Sequence, residues 1–339
     1  MRPSDTVPAG VLQTVGRTPL VELTRFAPAA RFRLYAKLEA HNPGGSIKDR
    51  SALELLRGAI SEGRVIPGRS VVVESSSGNL GIGLAQACRY FGIRFVCVVD
   101  PRANRQNIAV MRALGAEVEV VSTIDPVTGE YLPVRLRRVR EILAGTEDAY
   151  CPDQYANPLN PRSHHATMRE ICEAVPGGLD YLFCATSSCG TLRGCAEYAR
   201  EQRLPVTLVA VDAKGSVIFG REPAPRLIPG HGAAVRPALH QDGLADEVVH
   251  VSDLDCVVNC RRLAHREAIL AGGSAGAVLA AVRRLGGRIP AGAACVVILP
   301  DRGERYLDTI YDDDWVASHF GDVAHLWKEH DPVAEAATC

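Results

Sequence analysis

The sequence lacks the features by which nucleic-acid-binding proteins and membrane proteins are usually recognised. Its 38 lysine and arginine residues are balanced by 39 aspartate and glutamate residues, so the formal net charge is -1. A chain near neutrality has no broad electrostatic attraction for nucleic acid or for an anionic lipid surface. No apolar run reaches the roughly 18–20 residues needed to cross a bilayer, and residues 1–10 lack the apolar core of a signal peptide. We therefore expect a cytoplasmic protein that binds neither nucleic acid nor membranes.

Paired cysteine motifs are absent as well. The eleven cysteines are an odd number and include no Cys-x-x-Cys pair. Cys256 and Cys260 are four residues apart, but no second pair stands near them to complete a zinc site. We expect reduced and mostly buried thiols, which agrees with a cytoplasmic location, and no bound metal.

Two common phosphate-binding signatures are also missing. The Gly-Lys-Ser/Thr of a Walker loop does not occur, and no Gly-x-Gly-x-x-Gly follows a predicted strand with a suitable acidic partner. These absences argue against an NTP site of the P-loop class and against a dinucleotide site.

What the sequence does contain is an alternation of short β-branched runs with amphipathic segments. Continuous apolar runs such as 71–73 and 295–299 are typical of strands buried on both faces of a parallel sheet. The alternation predicts an α/β protein. The predicted strands are 33–38, 70–74, 94–100, 117–121, 180–185, 206–212, 248–251 and 294–299. The predicted helices are 48–62, 80–91, 104–114, 132–144, 162–174, 192–202, 255–270 and 275–285, and a long loop is predicted at 221–243.

The first candidate for chemistry is Lys48, which follows Gly44-Gly45-Ser46 and opens a predicted helix. A lysine that forms a Schiff base must be neutral when it attacks a carbonyl, and the positive end of a helix lowers the cost of deprotonating it. A lone lysine is usually a solvated surface residue. The motifs described next change that interpretation.

Three further loops precede predicted helices and are rich in small residues. The loop 74–80 offers hydroxyls and amides at a helix N-terminus, which suits a carboxylate, although an ordinary serine-rich N-cap explains it equally well. The loop 186–191 has small residues whose backbone N–H groups can close around a phosphate. The third, 272–276, places a serine at the start of a late helix.

These four motifs, in this order and spacing, resemble the fold-type II pyridoxal 5'-phosphate (PLP) enzymes of the cysteine synthase and cystathionine β-synthase family. The segments 15–20 and 300–306 match the same pattern, and the resemblance covers residues 11–312. It implies a tryptophan synthase β-like fold, with two three-layer α/β domains and PLP in the cleft between them. Residues 1–44 and 150–320 would form the larger, PLP-binding domain, 45–149 a smaller mobile domain, and 321–339 a polar C-terminal tail. A homodimer is implied as well.

The resemblance also implies roles for individual residues. Lys48 would be the Schiff-base lysine, Asn79 the partner of the PLP 3′-oxygen, and Ser274 the partner of the pyridine nitrogen. The cofactor phosphate would be held by Ser187, Ser188, Cys189, Gly190 and Thr191. The positions that hold the substrate α-carboxylate are matched by Ser76, Ser77 and Gln154.

A serine opposite the pyridine nitrogen has a chemical consequence. An aspartate would keep that nitrogen protonated, as transamination needs. The neutral hydroxyl of Ser274 gives a weaker electron sink, which suffices when a good leaving group departs from Cβ at once. The resemblance therefore favours β-replacement.

The chain departs from the cysteine synthases at two positions. They typically carry phenylalanine where this chain has Tyr155, and glycine where it has Ser187. Both changes add a hydroxyl, and a buried hydroxyl without a partner is costly, so we expect these groups to meet a polar second substrate. Arg135 adds a cation whose planar fork suits a carboxylate or a phosphate, with a solvated helix arginine as the alternative.

Together with residues 212–220, these departures resemble a branch of the family that joins O-phospho-L-serine to the amine of L-glutamate. That reaction proceeds through an α-aminoacrylate, with the lysine as general base. It supplies 2,3-diaminopropionate for siderophores of the staphyloferrin B type. Our candidates for binding the glutamate carboxylates are Arg135, Tyr155 and Ser187, with Lys214 and Ser216 as weaker ones.

Two other interpretations stay open at this point. One is a cysteine synthase that uses O-acetylserine or O-phosphoserine with sulfide, since acetate and phosphate both suit the elimination. The other is a catalytically silent protein of this fold that binds a partner, because chemistry lives in the site rather than in the fold. The roles of Cys189 and of the loop 221–243 are not assigned, and His164 and His165 are expected to be supporting polar residues.

Overall fold

The computed structural model describes residues 9–126 and 129–328, and it confirms the predicted alternation of strands and helices. The described strands are β1 (Leu20–Glu22), β2 (Arg33–Leu38), β3 (Val71–Glu74), β4 (Arg94–Val99), β5 (Glu117–Val120), β6 (Ala149–Tyr150), β7 (Tyr181–Ala185), β8 (Thr207–Ala213), β9 (Glu247–Val251) and β10 (Ala294–Leu299). The described α-helices are α1 (Lys48–Ser61), α2 (Asn79–Phe91), α3 (Arg105–Ala113), α4 (Leu132–Gly145), α5 (Leu159–Ser163), α6 (His165–Ala174), α7 (Gly190–Glu201), α8 (Asp253–Glu267), α9 (Gly273–Leu285), α10 (Asp313–Phe320) and α11 (His325–Lys328). Short 3₁₀ helices lie at Val11–Thr14, Glu39–His41 and Gly303–Tyr306.

Contacts divide the chain into two compact units. Among the described residues, the smaller unit comprises those up to Thr18 together with His41–Pro152, and the larger unit comprises Pro19–Ala40 together with those from Asp153 onward. The expected division had assigned residues 1–44 to the larger unit. The structure groups the N-terminal segment with the smaller one because Gly16 N donates to Asn42 Oδ1 over 2.8 Å and Arg50 Nη2 donates to Thr18 Oγ1 over 3.4 Å.

The larger unit is built on a six-stranded sheet with the order β1-β2-β10-β7-β8-β9. Only β1 runs antiparallel to its neighbour in this sheet. Leu182 and Phe183 are consecutive residues of β7 and are both fully buried. Because consecutive strand residues point to opposite faces, both faces of this sheet are covered. On one face, Val257 of α8 and Val278 of α9 join Phe183 and Val297 in a single apolar cluster.

The smaller unit is built on a four-stranded parallel sheet with the order β5-β4-β3-β6. Alternate residues of β3 and β4, beginning with Val71 and Val96, form an apolar cluster with Val139 of α4. The residues between them, such as Val72 and Cys97, are also buried. Successive strand residues point to opposite faces of the sheet, and both sets are buried here. The continuous apolar runs in the sequence therefore predicted correctly that this sheet is covered on both sides.

The structure departs from the sequence prediction near the C-terminus. Residues 321–328 do not form a solvated tail, because Trp327 is only 4% exposed and Arg262 Nε donates to Leu326 O over 2.9 Å. Residues 329–339 of the predicted tail lie outside the described residues. The predicted helix 162–174 is divided at His164, where α5 has ended and α6 has not yet begun. Strands β1 and β6 have three and two residues and are too short for periodicity to reveal.

Candidate active site

Lys48 is the first residue of α1 and is half-buried. A tight turn precedes it, in which Gly44 N donates to Asp49 Oδ2 over 2.5 Å. A Cβ added to Gly44 would lie 2.6 Å from Asp49 Oδ1, so a larger residue does not fit there without a shift. Gly45 has a φ of +86°, which favours glycine. The two glycines before Lys48 are therefore explained by the turn that places this lysine at a helix N-terminus.

The serine-rich loop 75–78 follows β3 and leads into α2, whose first residue is Asn79. Ser76 Oγ accepts a hydrogen bond from Gly81 N over 3.1 Å, and Ser77 O accepts one from Asn107 Nδ2 over 3.1 Å. The buried Ser75 Oγ has no hydrogen-bond partner among the described residues. The loop thus has a fixed backbone and a spare hydroxyl, which suits an anionic ligand.

Close packing brings helices α1 and α2 together near their first turns. A Cβ added to Gly83 would lie 2.9 Å from Ala52 Cβ and 3.2 Å from Lys48 O. This contact places the start of α1 beside the first turns of α2, which begins at Asn79. Lys48 and Asn79 are therefore neighbouring helix N-termini within the smaller unit, where partial positive charge collects.

Arg135 lies near the start of α4 and is not a solvated surface arginine. Its Nη1 is 3.2 Å from Asp100 Oδ2, and the two side chains are only 14% and 10% exposed. Burial raises the pKa of the Cys97 thiol to about 12, and the nearby Arg135 guanidinium opposes that rise. Cys97 Sγ donates to Ser76 O over 3.0 Å. Arg135 therefore lies near a residue that is in direct contact with the serine-rich loop.

In the larger unit, the loop 186–191 joins β7 to α7, as predicted. Asn160 is fully buried, and its Nδ2 donates to Ser188 Oγ over 3.3 Å. A Cβ added to Gly190 would lie 2.3 Å from Asn160 Oδ1. Cys189 caps α7 with a φ of +66°, a conformation that non-glycine residues rarely adopt. The loop is therefore compact, and the first amides of α7 have no acceptor within their own helix.

The same loop is held by residues that sequence reasoning did not single out as site residues. Asn160 Nδ2 also donates to the backbone oxygen of Gln154 over 2.7 Å. His164 Nε2 lies 3.4 Å from Thr191 Oγ1, so the expected supporting role of His164 has a specific partner. Asn160 gave only a weak signal in the sequence, because it lies in a helix of five residues that also contains Pro161.

Gln154 and Tyr155 are neighbours in sequence but differ in exposure. Gln154 is buried, whereas Tyr155 is 40% exposed. Leu239 N donates to Tyr155 O over 3.0 Å, which links Tyr155 to the predicted long loop. Residues 214–246, which contain that loop, have neither helix nor strand, as expected.

The loop 221–243 also reaches the start of the 186–191 loop, since Gly232 N donates to Thr186 O over 2.7 Å. Thr186 Oγ1 in turn donates to the buried Asp212 Oδ1 over 3.2 Å, and burial raises the pKa of Asp212. Ser216, a weaker candidate for glutamate binding, is fully buried and accepts Ala233 N over 3.0 Å. Its hydroxyl therefore serves the fold of this loop, whereas Lys214, the other weaker candidate, is exposed.

Ser274 lies in the first turn of α9 and is buried. The preceding turn is packed against Asp301, since a Cβ added to Gly272 would lie 2.1 Å from Asp301 Oδ1. Tyr306 OH donates to Asp301 Oδ2 over 2.6 Å, and burial raises the pKa of Tyr306 far above its ordinary value. The segment 300–306, which belonged to the sequence pattern, thus supports the turn that carries Ser274.

Comparison with known proteins identifies the family. The family model described as "Pyridoxal-phosphate dependent enzyme" matches residues 11–301. The chain belongs to this family. It is 45% identical over 308 residues to N-(2-amino-2-carboxyethyl)-L-glutamate synthase of Ralstonia nicotianae, covering 91% of this chain and 90% of that protein.

Solved structures agree with the family and the fold. An O-acetylserine dependent cystathionine β-synthase from Helicobacter pylori matches with a TM-score of 0.82 and 30% identity, over 91% of this chain and 100% of the other. An O-ureido-L-serine synthase matches with a TM-score of 0.82 and 32% identity, over 92% and 100%. The fold is therefore that of the fold-type II PLP enzymes, as the sequence predicted.

The protein is an enzyme, and its cofactor is PLP. The observed groups fit this cofactor. A lysine stands at a helix N-terminus, a compact small-residue loop opens α7, and a buried serine opens α9. No group of three or more metal-ligating side chains occurs in the part of the chain that the structure describes, and no helix in that part is long and apolar enough to span a bilayer.

Proposed function

We propose that this enzyme catalyses a β-replacement that joins O-phospho-L-serine and L-glutamate to give N-(2-amino-2-carboxyethyl)-L-glutamate and phosphate. The observation that carries the proposal is the 45% identity, over nine-tenths of both chains, to a synthase named for that product. The half-buried Arg135 and the added hydroxyls of Tyr155 and Ser187 support it, because an amino-acid nucleophile brings two carboxylates that need cationic and hydroxyl partners.

In this proposal Lys48 carries the cofactor and moves the proton. When bound, PLP withdraws electrons from Cα of the first substrate. Lys48 removes the α-proton of O-phospho-L-serine, the Cβ–O bond to phosphate breaks, and the amine of L-glutamate forms the new Cβ–N bond while losing a proton. Lys48 then returns a proton to Cα. Asn79, Ser274 and the loop Ser187–Thr191 hold the cofactor.

The remaining site residues orient the two substrates. Ser76, Ser77 and Gln154 bind the α-carboxylate of O-phospho-L-serine, which agrees with the fixed backbone of the serine-rich loop. Arg135, Tyr155 and Ser187 bind the carboxylates of L-glutamate. Exclusion of water from the site limits hydrolysis of the activated substrate.

The deciding experiment offers the purified holoenzyme O-phospho-L-serine with L-glutamate and sulfide side by side and identifies the products by mass spectrometry. We expect the glutamate adduct to dominate. Dominant cysteine formation would instead identify a cysteine synthase. Replacing O-phospho-L-serine with O-acetyl-L-serine in the same assay tests the leaving group, and faster turnover of the acetyl ester would contradict the phosphate assignment.

We also propose a cellular setting for the reaction. The ten cysteines among the described residues form no disulfide, as in a reducing cytoplasm. We propose that the enzyme works there as a homodimer and that its product leads to 2,3-diaminopropionate for a siderophore of the staphyloferrin B type. Light scattering of the holoenzyme tests the dimer, and loss of siderophore after gene deletion, restored by added 2,3-diaminopropionate, tests the pathway.

A further inference from the structure

We infer that Asp100 is a positioning residue, which holds the guanidinium of Arg135 ready for a carboxylate of the amino-acid nucleophile. The inference rests on the proposed function and names a residue that the function does not by itself assign. It starts from the 3.2 Å contact between Arg135 Nη1 and Asp100 Oδ2 in a largely buried setting.

The fold brings these two residues to the same edge of the smaller sheet. Helix α4 packs through Val139 on the face of β3 and β4, and Arg135 lies one helical turn closer to the N-terminus of α4. Asp100 directly follows β4. The carboxyl ends of parallel strands are where ligands collect in open α/β sheets. Glu74 of β3 is in register with Cys97 of β4, so the serine-rich loop leaves the sheet beside this edge.

Asp100 is itself held by the backbone around it. Its Oδ1 accepts a hydrogen bond from Arg102 N over 2.9 Å, and its backbone oxygen accepts one from Ala103 N over 3.0 Å. One carboxylate oxygen therefore fixes the turn after β4, while the other meets Arg135. A carboxylate anchored in this way restricts the rotamers of a long side chain before any ligand arrives.

The contact with Asp100 leaves part of the Arg135 fork available. Arg135 Nε is buried and has no hydrogen-bond partner among the described residues. A buried donor without an acceptor is costly, and a guanidinium can bind a carboxylate through two parallel N–H groups. A ligand carboxylate that accepts from this nitrogen would satisfy it while Asp100 retains Nη1.

A second ion pair on the same helix provides a matched control. Arg137 Nη2 lies 3.2 Å from Asp125 Oδ2, the same separation as in the Arg135 pair. The Arg137 side chain, however, is 56% exposed, against 14% for Arg135. Asp125 is buried to nearly the same degree as Asp100, with side-chain exposures of 11% and 10%, so the two pairs differ mainly in the arginine. An ion pair to a guanidinium that is mostly in solvent contributes little, so loss of the Asp125 charge should not affect nucleophile binding.

The test compares Asp100→Asn with Asp125→Asn in the holoenzyme. The introduced amide would keep an oxygen for Arg102 N and lose only the charge that holds Arg135. Pre-ordering one side chain changes binding by about two- to tenfold, so we expect Asp100→Asn to raise KM for L-glutamate by that factor. Phosphate release from O-phospho-L-serine in a single turnover without glutamate should stay within about twofold. Asp125→Asn should change neither quantity.

A double-mutant cycle separates positioning from a general structural effect. In an Arg135→Ala background, Asp100→Asn should cause no further rise in KM for L-glutamate, because the residue acts through Arg135. Additive effects would overturn the inference. So would an unchanged or lowered KM in Asp100→Asn, or an equal loss in phosphate release and glutamate use. If the wild-type enzyme makes no glutamate adduct, the proposed function fails. If the wild-type enzyme makes the adduct and Asp100→Asn has the same KM for L-glutamate as the wild type, only the role of Asp100 fails.

Discussion

Arg135 in the smaller unit and the predicted cofactor loops in the larger unit are held by different means. In the smaller unit, Arg135 is held by the carboxylate of Asp100, and both side chains keep some contact with solvent. In the larger unit, the loops that carry Gly190 and Gly272 are held by close packing, because a single added methyl group would lie within about 2.3 Å of a buried side-chain oxygen. A charged pair of this kind can adapt to an arriving ion, whereas a close-packed glycine turn has one arrangement.

This difference agrees with a division of tasks in the proposed reaction. The residues predicted to hold the cofactor phosphate and pyridine nitrogen lie in the rigid turns of the larger unit. Lys48, Arg135 and the serine-rich loop, predicted to handle protons and substrate carboxylates, lie in the smaller unit, and Gln154, Tyr155 and Ser187 of the larger unit are predicted to assist in carboxylate binding. The predictions below test whether substitutions in the two units affect different steps.

The largest effect is expected at Lys48 in the smaller unit. Lys48→Ala should lower turnover by at least about 10³-fold, because it removes both the covalent attachment and the general base. The absorbance at about 410 nm that is typical of lysine-bound PLP should also be lost. Lys328→Ala, which alters an exposed lysine, is the control. Turnover retained by Lys48→Ala would refute the mechanism.

In the larger unit, Gly190→Ala should disturb cofactor binding through packing. The added methyl group would lie 2.3 Å from Asn160 Oδ1, and overpacking of this kind costs about 1–3 kcal/mol of unfolding free energy. Urea unfolding and titration with PLP measure the two effects. Gly287→Ala, where an added Cβ meets nothing within 4 Å, should leave both close to wild type. Equal behaviour of the two variants would show that close packing at Gly190 does not hold the loop 186–191.

Tyr155→Phe combined with Ser187→Gly should impair the use of the second substrate. Loss of two hydrogen bonds should cost about 1–3 kcal/mol of binding free energy. This cost corresponds to a rise of about 5- to 150-fold in KM for L-glutamate. Phosphate release from O-phospho-L-serine should change much less. Should both steps decline together, these residues do not select the nucleophile.

The smallest effect near neutral pH is expected at His231 in the loop 221–243. Burial, followed by the nearby charge of Arg226, lowers the pKa of His231 to about 3. The unfolded chain takes up this proton at an ordinary pKa near 6.5. The unfolding free energy should therefore fall as the pH is lowered from 6.5 towards 3. His231→Gln should flatten that decline relative to the variant's own stability at pH 8, and an unaltered slope would contradict the assignment.

Most strands and helices could be predicted because each is encoded by the pattern of apolar residues within its own short segment. Apolar runs such as 295–299 predicted buried strands, and β10 has all six residues buried. The shortest elements could not be predicted. Strand β1 exists because Leu20, Val21 and Glu22 pair with β2 at the edge of the larger sheet, a contact between segments that no local periodicity records. Trp327 likewise enters the core from a stretch whose composition is polar.

The sequence by itself determined the family and the cofactor, and it led to the proposal of Lys48 as the cofactor-bearing lysine, because the glycine and serine turns around Lys48 and Ser274 tolerate few other residues. Only the tertiary structure decided what those turns rest on. Asp301 supports the turn at Gly272 before Ser274, Asn160 supports the turn at Gly190, and Asp100 meets Arg135 across 35 positions of sequence. Such pairings depend on which helix packs on which strand. The contact between Asp100, after β4, and Arg135 of α4 therefore could not be predicted before the packing of α4 on β4 was known.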